Sequence, residues 1–263
     1  MNEVQGAERR AMDYKVLFNT AMLAGEIMAQ SGAETYRVED TMVRILRTAG
    51  LASVEVYATS TGIIATLSDP SIETITGVKR IANRSNNLSR INEVNQISRN
   101  ICDEIITAAQ ALEKLEQIRA SRPYSSLTIT LATVVSMGGF VGLFGGGWLD
   151  CILAGVNGIL LVLIGKAADR RIGSPFIIDM AKSFVIAFIT LVYARYLPGI
   201  DRGLITIGSI MPMVPGLPIT NAIRDTLQGD YSSGTARAME AFVISLGIAV
   251  GVGLGMGLFN FIF

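Results

Sequence analysis

The sequence predicts an α-helical integral membrane protein of about five transmembrane helices, with an N-terminal cytoplasmic α+β domain. Three observations predict it. Half of the 263 residues are hydrophobic and only 17% are charged, too apolar for an ordinary soluble domain. The 27 glycines suit helices that pack closely in lipid. More than half of the charged residues fall before residue 124. The expected domains are therefore 1–123, an α+β domain ending in a long helix, and 124–263, a transmembrane domain of five spans. The N-terminal MNEVQGAERRAMDY lacks the apolar core of a signal peptide, so the first domain is expected to stay on the side of synthesis. The expected location is the inner or plasma membrane, multi-pass.

Composition also excludes functions. A formal net charge of zero gives no argument for nucleic acid. The absence of histidine removes His general bases, His metal ligands and a Ser-His-Asp triad. Cys102 and Cys151 lie far apart without zinc or disulfide spacing, and read as buried small residues. No cofactor and no metal site are expected. No GxxxxGK[ST] motif occurs, so ATP drive within this chain is not expected.

The first domain opens on a helix from about Glu8 to Gln30, where Tyr14, Leu17, Ala21, Ala24 and Met28 recur on one face. Gly32 fits its C-terminal cap. A second helix runs from about Glu34 to Thr48, with Val38, Met42, Ile45 and Ala49 inward and Asp40 and Arg44 able to pair outside. Residues 53–58 and 62–67 are rich in β-branched residues around a Thr59–Gly62 turn, a hairpin signal. Residues 73–80 read as a third strand, and the NRSNN loop follows. A stripe from Ile91 to Ile118 then predicts one long helix over 89–120. Helices packed on one face of a small antiparallel sheet is the arrangement expected.

In the second part, 125–144 is an uncharged span whose Gly138, Gly142 and Gly146 allow close approach. The next span, 148–165, is short for a bilayer and holds Asn157, read as a helix-to-helix hydrogen bond. The third, 175–196, contains Asp179 and Lys182 on one face. Ionisable groups in a span are functional candidates; the plainer reading is a pair snorkelling at the surface. The fifth, 241–263, carries Gly247, Gly251, Gly253, Gly255 and Gly257, a face for another helix or a second copy. Basic residues at Arg119, Arg122, Lys166, Arg170, Arg171, Arg224 and Arg237 place those links inside and the C-terminus outside.

The fourth span is the informative one. It starts near Gly203 and is broken at Pro212, Pro215 and Pro218, with Gly216 among them. Broken backbone at membrane depth belongs where it is buried in protein or lines a cavity. Asn221, Arg224 and Asp225 follow at once. A discontinuous segment followed by polar side chains is how transporters build substrate sites; the plainer reading is a turn at the membrane surface. Arg224 would offer a bidentate fork to a substrate carboxylate. Asp225 or Asp179 would carry a coupling proton or bind an ammonium group. In GAETYRVED, Glu34 and Arg37 stand one turn apart and would bind substrate charges or gate an entrance; the plainer reading is a helix start whose acid offsets the dipole.

GAETYRVEDTMVRILRTAG with SVEVYATSTGIIATL, and MPMVPGLPITNAIRDTLQGDYSSGTARAMEA, resemble the threonine/serine exporter family over nearly the whole chain. The family pattern falls on Gly32, Ala33 and Glu34, on Pro215 and Gly216, and on Asn221, Asp225 and Gly229. The resemblance implies a complete transporter of two membrane halves, this chain resembling the longer half with its cytoplasmic domain. It implies a partner, a shorter membrane protein of the same family, besides the lipid bilayer and a small-molecule substrate. The function it implies is a secondary exporter subunit for threonine/serine-type amino acids, proton-coupled by default. The alternatives are a succinate exporter subunit, a membrane-bound sensor, and a membrane-anchored enzyme. The last lacks any catalytic signature, so no enzyme is expected. Homo-oligomerisation through the fifth span is a further reading.

Overall fold

The computed structural model describes residues 2–82, 84–121, 124–168 and 174–263. They divide into two compact units, Met1–Pro123 with Leu217–Ala238, and Tyr124–Gly216 with Met239–Phe263. The sequence places the whole of 124–263 in the membrane part; the structure instead groups Leu217–Ala238 with the first unit. The reason is the polar bonding of that segment, described below.

In the first unit, α1 (Asn2–Gln30) and α2 (Thr35–Arg47) are followed by β1 (Ser53–Ala58), β2 (Gly62–Asp69) and β3 (Ile72–Arg80). The strands form an antiparallel sheet in the order β1-β2-β3, with Val56 opposite Ala65 and Ala65 opposite Gly77. One face is apolar: Ile63, Ala65 and Leu67 are buried, while Ile64 is exposed. Gly77 lets α1 pack closely there, because a Cβ would lie 2.8 Å from the Phe18 ring of α1 and the ring would have to shift. The core joins Ala21, Ala24 and Met28 of α1 to Val38, Met42 and Ile45 of α2. Gly32 has φ +86°, and the Ala33 N–H reaches back to the Met28 carbonyl at 3.1 Å, the left-handed cap its position predicts. Asp40 and Arg44 pair at 2.9 Å.

The expected long helix over 89–120 is two helices, α3 (Leu88–Cys102) and α4 (Ala108–Ala120). Glu104 adopts φ 56°, and Thr107 and Gln110 form a reciprocal capping box that starts α4. Cys102 ends α3 exposed, and Cys151 is half-buried, so neither is the buried small residue expected. Asn83, Arg122, Arg170 and Arg171 lie outside the described residues.

The second unit contains α5 (Ser126–Leu143), α6 (Trp148–Ala168), α7 (Pro175–Tyr196), α8 (Arg202–Ile210) and a 3₁₀ turn over Met211–Met213. Two further helices close the chain, α9 (Gly216–Leu227) and α10 (Tyr231–Ile262). Among the described residues, α5, α6, α7 and α10 are long and apolar enough to cross a membrane, and a fifth span exists only if α8 and α9 are counted together. Leu127, Leu131 and Val135 of α5 stand exposed, as lipid-facing side chains do. The last helix begins at Tyr231, ten residues before the expected start, because Asp230 accepts from the Ser233 N–H and caps its first turn.

Helices approach closely in this unit where glycine permits it. A Cβ at Gly208 of α8 would lie 2.9 Å from the Val141 nitrogen of α5. Gly247, Gly251 and Gly255 of α10 meet Phe176, Met180 and Phe184 of α7 in step. Asn157 is fully buried, and its amide donates to Thr190 Oγ1 at 3.2 Å and Ser209 Oγ at 3.1 Å, joining three helices. Asp150 accepts from the Gly147 and Asp201 N–H groups, and Asp201 caps α8, so two acids fix the short links.

Candidate functional site

The break after α8 leads into a helix whose polar residues face one four-residue stretch. The α-helix ends at Ile210 and the 3₁₀ turn holding Pro212 at Met213; Val214 and Pro215 are the break, and α9 restarts at Gly216 with Pro218 in its first turn, so the interruption is shorter than the Pro212–Pro218 expected. A Cβ at Gly216 would meet nothing within 4 Å, so packing here does not demand glycine. One turn on, Asn221 is buried, and its Nδ2 donates to the Gly32 carbonyl at 2.9 Å. Asp225, spaced four residues from it on the same face, is 1% exposed. Its carboxylate accepts from the Thr35 N–H at 3.1 Å and the Thr35 hydroxyl at 3.2 Å.

Thr35 begins α2, so its N–H has no partner within the helix. Asp225 satisfies that group and sets a negative charge at the positive end of the helix. The dipole-offsetting acid that the sequence suggests at Glu34 is therefore supplied from α9. Glu34 stands at the N-cap position without a capping bond of its own side chain. It pairs with Arg37 at 3.2 Å and with Arg224.

Arg237 of α10 completes the arrangement. Its Nη2 donates to the Ala33 carbonyl at 2.8 Å, and its Nε lies 2.9 Å from Asp225 Oδ2. The latter is a charge contact rather than an aligned hydrogen bond. Gly32, Ala33, Glu34 and Thr35 are thus each held by a different side chain: Asn221, Arg237, Arg224 and Asp225. Gly229 ends α9 with φ +89°, and the Asp230 N–H returns to the Asp225 carbonyl at 2.9 Å. That tight turn brings α10 back, and Ser233 Oγ accepts from the Ser60 N–H at 3.2 Å.

The electrostatics separate a committed centre from an accessible edge. Asp225 and Arg237 are buried. The Arg224 side chain is half-exposed, while that of Glu34 is 7% exposed. Burial alone would raise the Glu34 carboxyl, but its own backbone N–H, Arg224 and Arg37 outweigh it and hold the carboxyl below its ordinary range. Glu34 is therefore an anion wedged between two guanidinium groups.

The structure brings together Gly32, Glu34 and Arg37 with Asn221, Arg224 and Asp225. Asp179 and Lys182 belong to the second unit, where they pair with each other at 3.5 Å, each about four-fifths buried. Pro215 and Gly216 fall at the boundary between the units. Sequence reasoning did not single out Thr35 or place Arg237 in the site. The signal was present: Arg237 is the single basic residue of a long, mainly apolar helix, four residues beyond Ser233.

A family model described as "Putative threonine/serine exporter" matches residues 19–259. A "Probable threonine/serine exporter" of Mycobacterium tuberculosis is 27% identical over 236 residues, 89% of this chain but 44% of that protein. A "Probable succinate transporter subunit YjjP" of Klebsiella aerogenes is 26% identical, covering 83% of this chain and 84% of that protein. The Escherichia coli K12 protein of the same name is 24% identical, covering 84% and 86%. This chain thus spans less than half the length of the mycobacterial relative. No solved structure matches it. A match over residues 19–259 and several apolar helices long enough to span a bilayer make this chain a multi-pass membrane protein that belongs to the threonine/serine exporter family.

Proposed function

We propose that this chain is the longer half of a two-component secondary exporter for small polar amino acids of the threonine/serine type. One observation carries the choice of substrate. The half-exposed Arg224 stands beside the buried anion of Glu34, a cation and an anion that match the carboxylate and ammonium of a zwitterion. A dianion there would meet the carboxylates of Glu34 and Asp225 as well as the guanidinium groups. Arg224 is the carboxylate partner and Glu34 the ammonium partner, while Arg37 holds Glu34. Asn221 and Asp225 position Gly32–Thr35 rather than bind substrate.

Asp179, paired with Lys182 in α7, is the group that carries a coupling proton. The first unit is cytoplasmic and the C-terminus outside, because Arg119, Lys166, Arg224 and Arg237 fall on one side under the positive-inside rule. The chain is a transport subunit and not an enzyme. Its partner is the shorter membrane half of the same family; that two relatives are named as transporter subunits supports a partner.

A second reading, a succinate exporter subunit, is favoured by the match to those two proteins over most of their length. One experiment separates them. Cells with this chain, with and without the shorter family member, are loaded with threonine dipeptides or with succinate, and efflux is followed. Threonine efflux that needs both chains supports the proposal. Succinate efflux without threonine efflux replaces it with the second reading.

A further inference from the structure

The first unit contains an open cavity of about 540 Å³ that borders the site described above at Thr35 and Asp225 and extends beyond it. Its wall is built from both sequence motifs, with Tyr36 and Glu39 from α2, Tyr57 from β1, Asp225 from α9, Asp230 from the turn after it and Tyr231 from the start of α10. No lysine or arginine is among its lining residues. The volume lies within the range of about 300–1,000 Å³ usual for small-ligand sites.

The charges of this wall are not balanced. Asp225 is offset by Arg237. Glu39 accepts the Ala58 N–H at 2.8 Å and has no ion-pair partner among the described residues. Asp230 uses Oδ1 to accept the Ser233 N–H; its Oδ2 is buried without a hydrogen-bond partner among the described residues. Burial, and then the charges of Asp230 and Asp225, push the Glu39 carboxyl above its ordinary range. Carboxylates held near one another without a counter-ion are a cost that a bound cation removes. The three tyrosines add ring faces that attract an ammonium group, and hydroxyls able to donate to a carboxylate. Among the described residues no three acids converge as a metal site would need, which favours a diffuse organic cation.

We propose that this cavity binds the ammonium group of a small amino acid, with Glu39 as its charge partner, the negative charge of Asp230 behind it, and Tyr36, Tyr57 and Tyr231 as its rim. The assignment rests on the amino-acid exporter reading, and gives the first unit a second contact for the same substrate class.

The test is calorimetric titration of the purified full-length chain in detergent with L-threonine, N-acetyl-L-threonine, putrescine and succinate. L-threonine is expected to bind. N-acetyl-L-threonine, which lacks the ammonium, is expected to bind about tenfold more weakly or not at all, as for loss of one charge-assisted contact. Glu39→Gln keeps an acceptor for Ala58 and should weaken threonine binding at least about fivefold. Tyr57→Ala, at an exposed ring, should weaken it by about twofold to fivefold. Unchanged melting temperatures for these variants show that folding is intact. Equal binding of the acetylated ligand, or wild-type affinity in both variants, overturns the site. Tighter binding of putrescine, or displacement of threonine by succinate, overturns the amino-acid assignment. Threonine export with no dependence of binding on Glu39 sinks this site alone; Glu39-dependent ammonium binding without threonine export sinks the exporter reading alone.

Discussion

Asp225 takes both the backbone N–H and the hydroxyl of Thr35, across 190 residues of sequence. The same carboxylate faces Arg237 at 2.9 Å. One buried acid therefore holds the start of α2, the end of α9 and the beginning of α10 in register.

Replacing Asp225 is expected to be costly. Asp225→Ala leaves the buried Arg237 guanidinium without its counter-ion and the Thr35 N–H without its acceptor, a loss of about 3–5 kcal/mol. Asp225→Asn keeps an acceptor for Thr35 and should lose less. Melting of the purified protein and protease resistance of the first unit report the difference. A melting temperature unchanged in Asp225→Ala would contradict the network.

Arg224 should behave in the opposite way. Its side chain is half-exposed, so its pair with Glu34 is worth no more than about 1 kcal/mol of stability. Arg224→Ala should therefore fold and reach the membrane normally while threonine efflux falls sharply. Normal efflux at normal membrane abundance would remove Arg224 from the substrate site.

The depressed Glu34 carboxyl sets a direction with pH. A carboxylate whose folded-state value lies below its unfolded value stabilises the fold above the unfolded value. That contribution is lost as pH falls through the folded value. Arg37 and Arg224 face it. Wild-type protein should thus lose melting temperature on acidification below the ordinary carboxylate range, and Glu34→Gln should show a shallower acid limb. Identical acid limbs would show that Glu34 contributes nothing.

In the second unit, Asn157→Leu removes hydrogen bonds to Thr190 and Ser209. The expected loss is about 0.6–2 kcal/mol, as for side-chain bonds between membrane helices. Gly251→Leu is more severe, because even a Cβ there strikes Ser183 and the Met180 carbonyl. Thermal unfolding in detergent should rank Gly251→Leu below Asn157→Leu. The reverse order would contradict the packing of α10 on α7.

Local signals made much of this fold legible. The period-two runs at 53–58 and 62–67 became β1 and β2, and Gly32 became the left-handed cap. The single helix expected over 89–120 failed because its apolar stripe continues through the break; Ile105 fits the stripe and is 67% exposed. Thr107 and Gln110, spaced as a capping box, were the signal for the true start of α4. The two motifs were legible one by one, but their bonding was not. Nothing local in Asn221, Arg224 or Asp225 says that their partners are Gly32, Glu34 and Thr35, because contacts so distant in sequence are fixed by the tertiary fold. Glu39 and Asp230 were invisible for the same reason, since each reads alone as an ordinary helix or turn residue.

The most direct measurement is threonine counterflow in proteoliposomes holding this chain and the shorter family member, with and without an imposed proton gradient. The account predicts threonine exchange that requires both chains, quickens with the gradient and is lost in Arg224→Ala. Exchange of succinate but not threonine, with both chains inserted, would contradict it.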